Sequence, residues 1–215
     1  MHAKFLSVQP GKAESERTFI EMARRAQIVE AATETIAEEG YARASLGRIA
    51  ERAGISRGLI SYHFAGKEEL LTEVVRGVIE QARDYMLPRI SAEPTGPGML
   101  RAYIESNLVF IREHRNQLLA VVEIARHRVA EDKPRGVPRR ELHEGVRALA
   151  QLLSRFQEAG DLRADFDPQS VAIAIRAAID AAPARLSADP QFDIDGYTRD
   201  LIQMFDLATR AGGQR

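Results

Sequence analysis

Five basic side chains stand close together between residues 41 and 67, against a single acidic residue in the same stretch. The basic residues are Arg43, Arg48, Arg52, Arg57 and Lys67, and the acid is Glu51. The stretch therefore carries an excess of four positive charges, whereas the formal net charge of the 215-residue chain is −1. Local positive charge of this kind suits contact with phosphates, because binding releases condensed counterions. A solvated basic helical hairpin is the alternative that the charges alone leave open.

The elements that must carry these charges are two short helices joined by a glycine turn. Along the first helix, apolar residues recur at i, i+3, i+4 and i+7: Leu46, Ile49, Ala50 and Ala53. Gly54 follows at once, where a residue without Cβ can adopt the left-handed conformation that ends a helix. Ser56 can then cap a second helix, on which Ile60 and Phe64 share the core. This is the pattern of a helix-turn-helix, whose second helix enters the major groove of DNA.

The outward side of the second helix distinguishes the two interpretations of the charge. Once Ile60 and Phe64 face the core, the residues left pointing outward are Gly58, Leu59, Ser61 and Tyr62. An outward leucine and tyrosine are unusual on a solvated face. Together with the glycine turn, they favour a DNA-reading surface over a solvated hairpin.

Residues of about 19 to 75 resemble the TetR family of bacterial transcriptional regulators. Five blocks at the family's spacing carry the resemblance: Gly40-Tyr41, Ile49-Ala50, Ala53-Gly54-Ile55-Ser56, Tyr62-His63-Phe64 and Lys67-Glu68-Glu69-Leu70-Leu71. The LISYHF form of the second helix is similar to the choline-responsive, BetI-like branch. The resemblance implies an all-helical fold, with a three-helix DNA-binding domain followed by a larger helical domain for ligand binding and dimerisation.

The resemblance also implies a set of DNA contacts: Ser45, Arg48, Ser56, Arg57, Gly58, Ser61, Tyr62, His63 and Lys67. Ser45 would cap the first helix of the pair and touch a phosphate, and Arg57 with Gly58 would approach base edges. Arginine can donate to both acceptors of a guanine, and glycine allows the helix to approach the DNA closely. Tyr62 and His63 would bond phosphates, although a histidine packed beside Phe64 is the alternative for His63.

Lys67 would clamp the DNA backbone at the start of the following helix. Two positions depart from the family pattern, and both lie on the proposed reading surface. Ser61 stands where many relatives have tyrosine, and Gly47 stands where a longer polar side chain is frequent. The resemblance therefore implies the docking of the family but does not carry over its base preference.

Length and composition set the remaining bounds. With 215 residues and 45% hydrophobic content, the chain is long enough for a small domain and a larger one. It contains no cysteine, which removes disulfides, thiolate nucleophiles and most structural zinc sites. No metal or cofactor is expected. With neither a signal peptide nor an apolar run of about 18 residues, we expect a soluble cytoplasmic protein without a membrane partner.

The spacing of apolar residues predicts helices throughout, and no strand signal appears. The expected helices lie at about 18–39, 46–53, 57–64, 67–89, 99–114, 116–129, 138–159, 168–186 and 194–211, with a proline- and glycine-rich loop at 91–98. We expect a flexible arm at residues 1–17, the helix-turn-helix domain at 18–66 and the ligand-binding and dimerisation domain at 67–215.

The last two helices carry the faces expected to pair with a second copy. The resemblance implies a four-helix dimer interface, and its candidate residues are Ala174, Ala178, Ala181, Tyr197, Leu201, Met204, Phe205 and Ala208. Small residues let helix axes approach closely across a symmetry axis. The alternative is that both apolar stripes pack inside one subunit. A dimer would place two recognition helices about one DNA turn apart on an inverted repeat.

A small-molecule effector is the further partner implied by the resemblance. Its candidate ligands are Tyr103, Asn107, Phe110, Glu123 and His127. Glu123 lies within an apolar segment and would suit a cationic or hydrogen-bonding molecule. The alternatives are an ordinary helical pair of Glu123 with Arg126 or His127, and core packing for the other residues.

The sequence contains no HExxH, no phosphate-cradling glycine loop and no nucleophile elbow, so an enzyme is not expected. We predict a homodimeric one-component regulator, most simply a repressor, that binds double-stranded DNA and responds to a small molecule. The alternative is an all-helical ligand-binding protein whose head no longer binds DNA, since Gly47 and Ser61 both weaken the recognition surface.

Overall fold

A computed structural model describes residues 12–130, 139–189 and 191–211 of the chain. These residues form nine helices: α1 Lys12–Glu39, α2 Leu46–Ala53, α3 Arg57–His63, α4 Lys67–Ser91, α5 Gly96–Glu113, α6 Arg115–Ala130, α7 Arg139–Glu158, α8 Pro168–Ala188 and α9 Ile194–Thr209. No strand occurs in the described ranges; the only bridge pairs Leu162 with Arg210. The all-helical prediction is confirmed. None of the described helices combines the length and apolarity needed to cross a bilayer.

Two hydrophobic cores organise the helices, and we name the regions after them. The head, α1 to α3 with the first turns of α4, buries Ile28, Ala32, Ile36, Ile49, Ile60, Phe64, Leu70, Leu71 and Val74. The body, α5 and α7 to α9, buries Leu100, Ile104, Leu108, Leu153, Ile175, Ile179 and Leu201. Helix α6 adds Ala120 and Ile124 to the core of the head, so its apolar face packs against the head.

The turns of the head follow the local signals in the sequence. Gly40 and Gly54 end α1 and α2 in the left-handed region, with φ of 82° and 65°. The amide of Ile55 then reaches back to the carbonyl of Ala50 at 3.0 Å, which satisfies one of the orphan carbonyls at the end of α2. This tight reversal brings α3 across the end of α2 as predicted.

Two predicted helix starts are wrong. Helix α1 begins at Lys12 rather than near Thr18; of the predicted arm, residues 1–11 lie outside the described residues. Helix α5 begins at Gly96, inside the predicted loop at 91–98. The hydroxyl of Thr95 caps it by accepting a hydrogen bond from the amide of Gly98 at 3.1 Å. Proline in the first turn costs nothing, because a backbone N–H at that position would have no carbonyl partner within the helix.

A close approach explains why glycine stands at the start of α5. A Cβ on Gly96 would lie 2.7 Å from the ring of Phe156 on α7. The absence of a side chain therefore lets α5 rest against α7. The remaining helices begin and end within about two residues of the predicted bounds, as expected for helix termini.

Candidate nucleic-acid interface and effector region

Helix α3 is held in place by caps and by two buried side chains. The hydroxyl of Ser56 accepts the amide of Leu59 at 3.2 Å, and Ser45 accepts the amide of Arg48 at 3.2 Å in the same way for α2. Each cap contributes about 1 kcal/mol. Ile60 is fully buried and Phe64 is 2% exposed, so one side of α3 is used for packing.

Helix α1 fastens the far ends of α2 and α3. The guanidinium of Arg25 donates to the carbonyl of His63 and lies 4.2 Å from the ring centre of Phe64. The side-chain amide of Gln27 donates to the carbonyl of Ala53 at 2.9 Å. Both carbonyls are helix-end groups that need a partner. No local pattern marks Arg25 or Gln27, because their partners lie 38 and 26 residues away along the chain.

The opposite side of α3 is exposed. Arg57, Gly58 and Ser61 face solvent, and Tyr62 is 73% exposed. A Cβ on Gly58 would lie near only the hydroxyl of Ser56, at 3.8 Å, so the space that a side chain would fill is open there. Among the described residues, Arg57 has no carboxylate partner within ion-pair distance. This face presents a guanidinium, hydroxyls and an aromatic ring on one short helix.

His63 lies at the edge of this face. It is half-buried, and its ring stands edge-on to that of Tyr62 with centres 5.0 Å apart. Phe64, the next residue along the chain, is buried in the core. His63 therefore occupies the boundary between the packed and the open side of α3, rather than an enclosed position beside Phe64.

The arginines of α2 are paired with carboxylates of α1. Arg48 lies 2.9 Å from Glu39 and 2.6 Å from Glu51, and these hydrogen bonds and charges raise the pKa of its guanidinium. Arg52 binds Glu38, whose pKa is lowered by that hydrogen bond, and lies 3.4 Å from Glu34. The excess of four positive charges counted along residues 41–67 is thus partly offset by α1.

Lys67 is held against the end of α1. Its ammonium donates to the carbonyl of Tyr41 at 3.0 Å and lies 4.2 Å from the centre of the same ring. Tyr41 itself is 8% exposed and belongs to the core of the head. The residue proposed as a phosphate clamp is therefore oriented by a buried aromatic side chain.

Two of the predicted effector ligands meet a residue that the sequence did not single out. Arg176 of α8 donates to the hydroxyl of Tyr103 at 3.1 Å and to the side-chain carbonyl of Asn107 at 2.9 Å. It also pairs with Asp180. Burial lowers the pKa of Arg176, but its electrostatic interactions and hydrogen bonds with Tyr103 and Asp180 raise that pKa by more. The helical spacing of α8 shows only a small-residue face and gives no sign that Arg176 turns inward.

The other three predicted ligands lie elsewhere. Phe110 is 2% exposed and packs against Tyr85 and His114, with ring centres 5.7 and 4.2 Å away. Glu123 lies 3.6 Å from Arg126 and 4.0 Å from His127, which is the helical pairing weighed as its alternative.

His127 stacks on Tyr41, in the head. Among the described residues, no hydrogen bond, ion pair or ring contact joins Glu123 or His127 to Tyr103, Asn107 or Phe110. A cleft between α5 and α9 lies on a different side of α5, lined by Pro97, Leu100, Arg101, Ile104, Ile202, Asp206 and Thr209. Within the described ranges, no group of three or more His, Cys, Asp or Glu side chains is arranged to hold a metal ion.

The predicted dimer residues divide between the interior and the surface of the subunit. Leu201 is 3% exposed and packs inside the body, so its side chain leaves little surface for a second copy. The hydroxyl of Tyr197 donates to the carbonyl of Ala178 at 2.7 Å, also within the subunit. Ala181 and Phe205 are half-buried, and Ala174, Met204 and Ala208 are exposed.

Two further apolar side chains lie on the same outer faces. Ile173 of α8 is 51% exposed and Leu207 of α9 is 60% exposed, beside Met204 at 52%. A helical period of 3.6 places Met204, Leu207 and Ala208 on one side of α9. The inward and outward stripes of α9 overlap in the sequence, so spacing alone did not separate Leu201 from Leu207.

The comparisons with known proteins agree with this geometry. Residues 28–74 match the family model described as bacterial regulatory proteins, tetR family. Over 78 residues the chain is 42% identical to the HTH-type transcriptional regulator BetI of Escherichia coli O45:K1, a match that covers 36% of this chain and 40% of that protein. The chain thus spans about two-fifths of the length of the curated relatives it matches. Relatives of this kind are named as transcriptional regulators and not as enzymes.

Solved structures extend the likeness of fold to the body. A transcriptional regulator from Saccharomonospora viridis in complex with choline superposes with a TM-score of 0.77 at 21% identity, covering 90% of this chain and 100% of that one. The fatty acid degradation regulator FadR from Bacillus halodurans gives a TM-score of 0.75 at 21% identity, covering 89% and 96%. The head therefore matches the tetR family model over residues 28–74, and the helical fold of the chain is similar to that of these two solved structures.

Proposed function

We propose that this chain is a homodimeric, one-component transcriptional repressor that binds an inverted repeat of double-stranded DNA and is released by a small molecule. The observation that carries the proposal is the open face of α3. Arg57, Gly58, Ser61 and Tyr62 are exposed on it, while Ile60 and Phe64 on the other side hold the helix to the core.

This face suits the major groove for chemical reasons. A guanidinium can bond the two acceptors of a guanine, while hydroxyls and a tyrosine can bond bases or phosphates. Arg57 is available for this role because, among the described residues, no carboxylate lies within ion-pair distance of it, whereas Arg48 and Arg52 pair with carboxylates of α1. We therefore assign base contacts to Arg57 and Ser61, and phosphate contacts to Ser45, Tyr62, His63 and Lys67.

A second copy on the faces of α8 and α9 completes the proposal. Ile173, Met204 and Leu207 are large apolar side chains that are about half or more exposed in the single subunit. Exposed apolar residues clustered on neighbouring helices favour association with a partner surface. A two-fold axis there would give two α3 helices, which is the arrangement that an inverted repeat requires.

Selection of bound duplexes from a random DNA pool by the purified protein tests the DNA half of the proposal. Enrichment of an inverted repeat is expected, and affinity should fall steeply with added salt. The Arg57→Ala protein, selected in parallel, should enrich a less defined sequence. No enrichment from folded, dimeric protein would instead favour a ligand-binding protein with a degenerate head. Added salt would have little effect on the ligand affinity of such a protein.

Release by an effector needs a separate measurement. Choline is the first compound to titrate against the protein–DNA complex, because the S. viridis regulator contains it. The uncharged carbon isostere of choline is the matched control. Release by choline but not by its isostere would point to recognition of the positive charge. No release by either compound would exclude choline and leave the DNA-binding half of the proposal intact.

A further inference from the structure

The last turns of α6 contact the head beside the proposed phosphate clamp. The imidazole of His127 stacks on the ring of Tyr41, with centres 4.3 Å apart and planes inclined by 15°. The ammonium of Lys67 lies 4.2 Å from the centre of the same ring and donates to the carbonyl of Tyr41 at 3.0 Å. One buried tyrosine therefore joins α6 to the first residue of α4.

The next residue of α6 holds the same turn of α4 directly. The side chain of Arg128 is 2% exposed, and one of its terminal nitrogens lies 3.4 Å from the carbonyl and a carboxylate oxygen of Glu68. The same nitrogen lies 3.2 Å from the hydroxyl of Thr72. His127 and Arg128 thus both contact the start of α4, His127 through Tyr41 and Arg128 through Glu68 and Thr72.

Helix α6 is itself anchored at this end. Ala120 and Ile124 are fully buried in the core of the head. The ring nitrogen Nδ1 of His127 lies 3.1 Å from the carbonyl of Glu123, one turn earlier, which orients the imidazole. The ring of His127 is therefore fixed both by its own helix and by the tyrosine it covers.

The contact is also incompletely satisfied. The Nε of Arg128 is buried and has no hydrogen-bond partner among the described residues. A buried polar group without a partner carries a desolvation penalty that water would relieve. Separation of α6 from α4 would let water reach this nitrogen, so hydration would offset part of the free energy lost with the contact.

We propose that His127 and Arg128 are positioning residues for the phosphate contact of Lys67, so that the placement of α6 sets DNA affinity within each subunit. The proposal rests on the proposed DNA-binding function. With α6 docked, Tyr41 and the first turn of α4 are held, and Lys67 is presented in one place. When α6 moves, the Lys67 side chain is no longer held, and fixing it against a phosphate costs conformational entropy. This cost weakens DNA binding without any change in the distance between the two heads of a dimer.

A double-mutant cycle on His127 and Lys67 tests this coupling. DNA affinity is measured over a range of salt concentrations for the wild type, His127→Ala, Lys67→Ala and the double variant, on one random-sequence duplex. His127→Ala should lower affinity by about two- to tenfold, the range that an aromatic pair is worth. In the Lys67→Ala protein the same change should have no further effect, because the group it positions is absent.

Two further variants separate positioning from general damage. His127→Phe keeps a ring on Tyr41 and should restore wild-type affinity. Arg126→Gln alters the neighbouring residue, which is 59% exposed in its side chain and pairs with Glu123 on the same helix, and should leave affinity unchanged. Thermal melting of each variant establishes that it is folded, which is expected because the His127 side chain is 38% exposed.

The outcomes are distinct. An equal loss from His127→Ala in both backgrounds, or no loss in either, overturns the positioning role. A wild-type protein that binds no duplex at low salt overturns the proposed function instead. Non-additivity together with rescue by phenylalanine supports the inference.

Discussion

The head and the body of this chain place their polar side chains in opposite ways. In the head, Arg57 and Tyr62 are exposed because the core takes only one side of a seven-residue helix. In the body, Asn107 is 7% exposed and is bound to Arg176, whose guanidinium is drawn in between α5 and α8. A small three-helix unit leaves its candidate DNA-binding face exposed, whereas longer packed helices enclose polar residues, which must then be hydrogen-bonded internally.

A second contrast lies within the head. The arginines of α2 are matched by carboxylates of α1, while Arg57 on α3 has none among the described residues. Positive charge counted along the chain therefore overstates the surface available to phosphate. Arg57, which remains available to DNA, lies on the exposed face of α3.

The largest expected effect separates packing from function within α3. Phe64→Ala should lower the free energy of unfolding by about 3 to 5 kcal/mol, because Phe64 is 2% exposed and supports Arg25 through its ring. Chemical denaturation measures the loss. The matched change Tyr62→Ala, two residues away and 73% exposed, should alter stability by less than about 0.5 kcal/mol and reduce DNA affinity instead. Similar stability losses in both proteins would contradict the two-sided description of α3.

A somewhat smaller effect is expected at the surface of the body. Leu207→Asp places a charge in the exposed apolar face of α9 and should weaken the dimer by at least about 2 kcal/mol. Sedimentation across a range of protein concentrations would show the shift toward monomer. Arg199→Asp is the control, since Arg199 has a side chain 73% exposed on the same helix, about 140° around it from Met204. A Leu207→Asp dimer of unchanged strength would place the interface elsewhere.

The contrast between α2 and α3 can be tested by removing one arginine from each. Arg57→Ala should cost about 1 to 3 kcal/mol of specific DNA binding and relax base preference at one position of each half-site. Arg48→Ala should cost less, since Arg48 is already engaged by Glu39 and Glu51. Both affinities can be read on the selected operator and on a scrambled duplex; equal losses would show that pairing with α1 does not withhold Arg48 from DNA.

The smallest effect concerns the start of α8. The carboxylate of Asp167 accepts hydrogen bonds from the hydroxyl of Ser170 at 2.6 Å and from the amides of Ser170 and Gln169 at 2.9 and 3.3 Å. These bonds lower the pKa of Asp167 below its ordinary value. A lowered folded-state pKa gives stability that is fully present above the unfolded-state pKa and is lost as the pH falls through the folded value. Asp167→Asn should therefore make unfolding less dependent on pH below about 4. If the free energy of unfolding depends on pH in the same way below about pH 4 in both proteins, the ionised cap adds no stability.

Much of the head could be predicted because its signals are local. The apolar spacing of α2, the left-handed turn at Gly54 and the cap at Ser56 all act over one or two helical turns. The inward Ile60 and Phe64 and the outward Tyr62 then follow from a helix only two turns long. The start of α5 at Gly96 was missed because proline and glycine mark loops more often than helix starts.

The body was predicted less well at the level of single residues. Tyr103 and Asn107 do lie together, but Arg176, the residue that joins them, is separated from them by about 70 positions. Leu201 and Leu207 lie on one apolar helix, and only packing against the rest of the body decides that Leu201 is covered and Leu207 is not.

What the sequence determined by itself was the succession of helices, the caps and turns of the head, and the family to which that head is similar. These features depend on neighbours three or four residues apart, whose relative positions a helix sets on its own. The tertiary structure alone decided which charges are neutralised, which apolar stripe faces solvent, and that α6 reaches Lys67 through Tyr41. Those facts join residues tens of positions apart, and their distances exist only once the helices have packed.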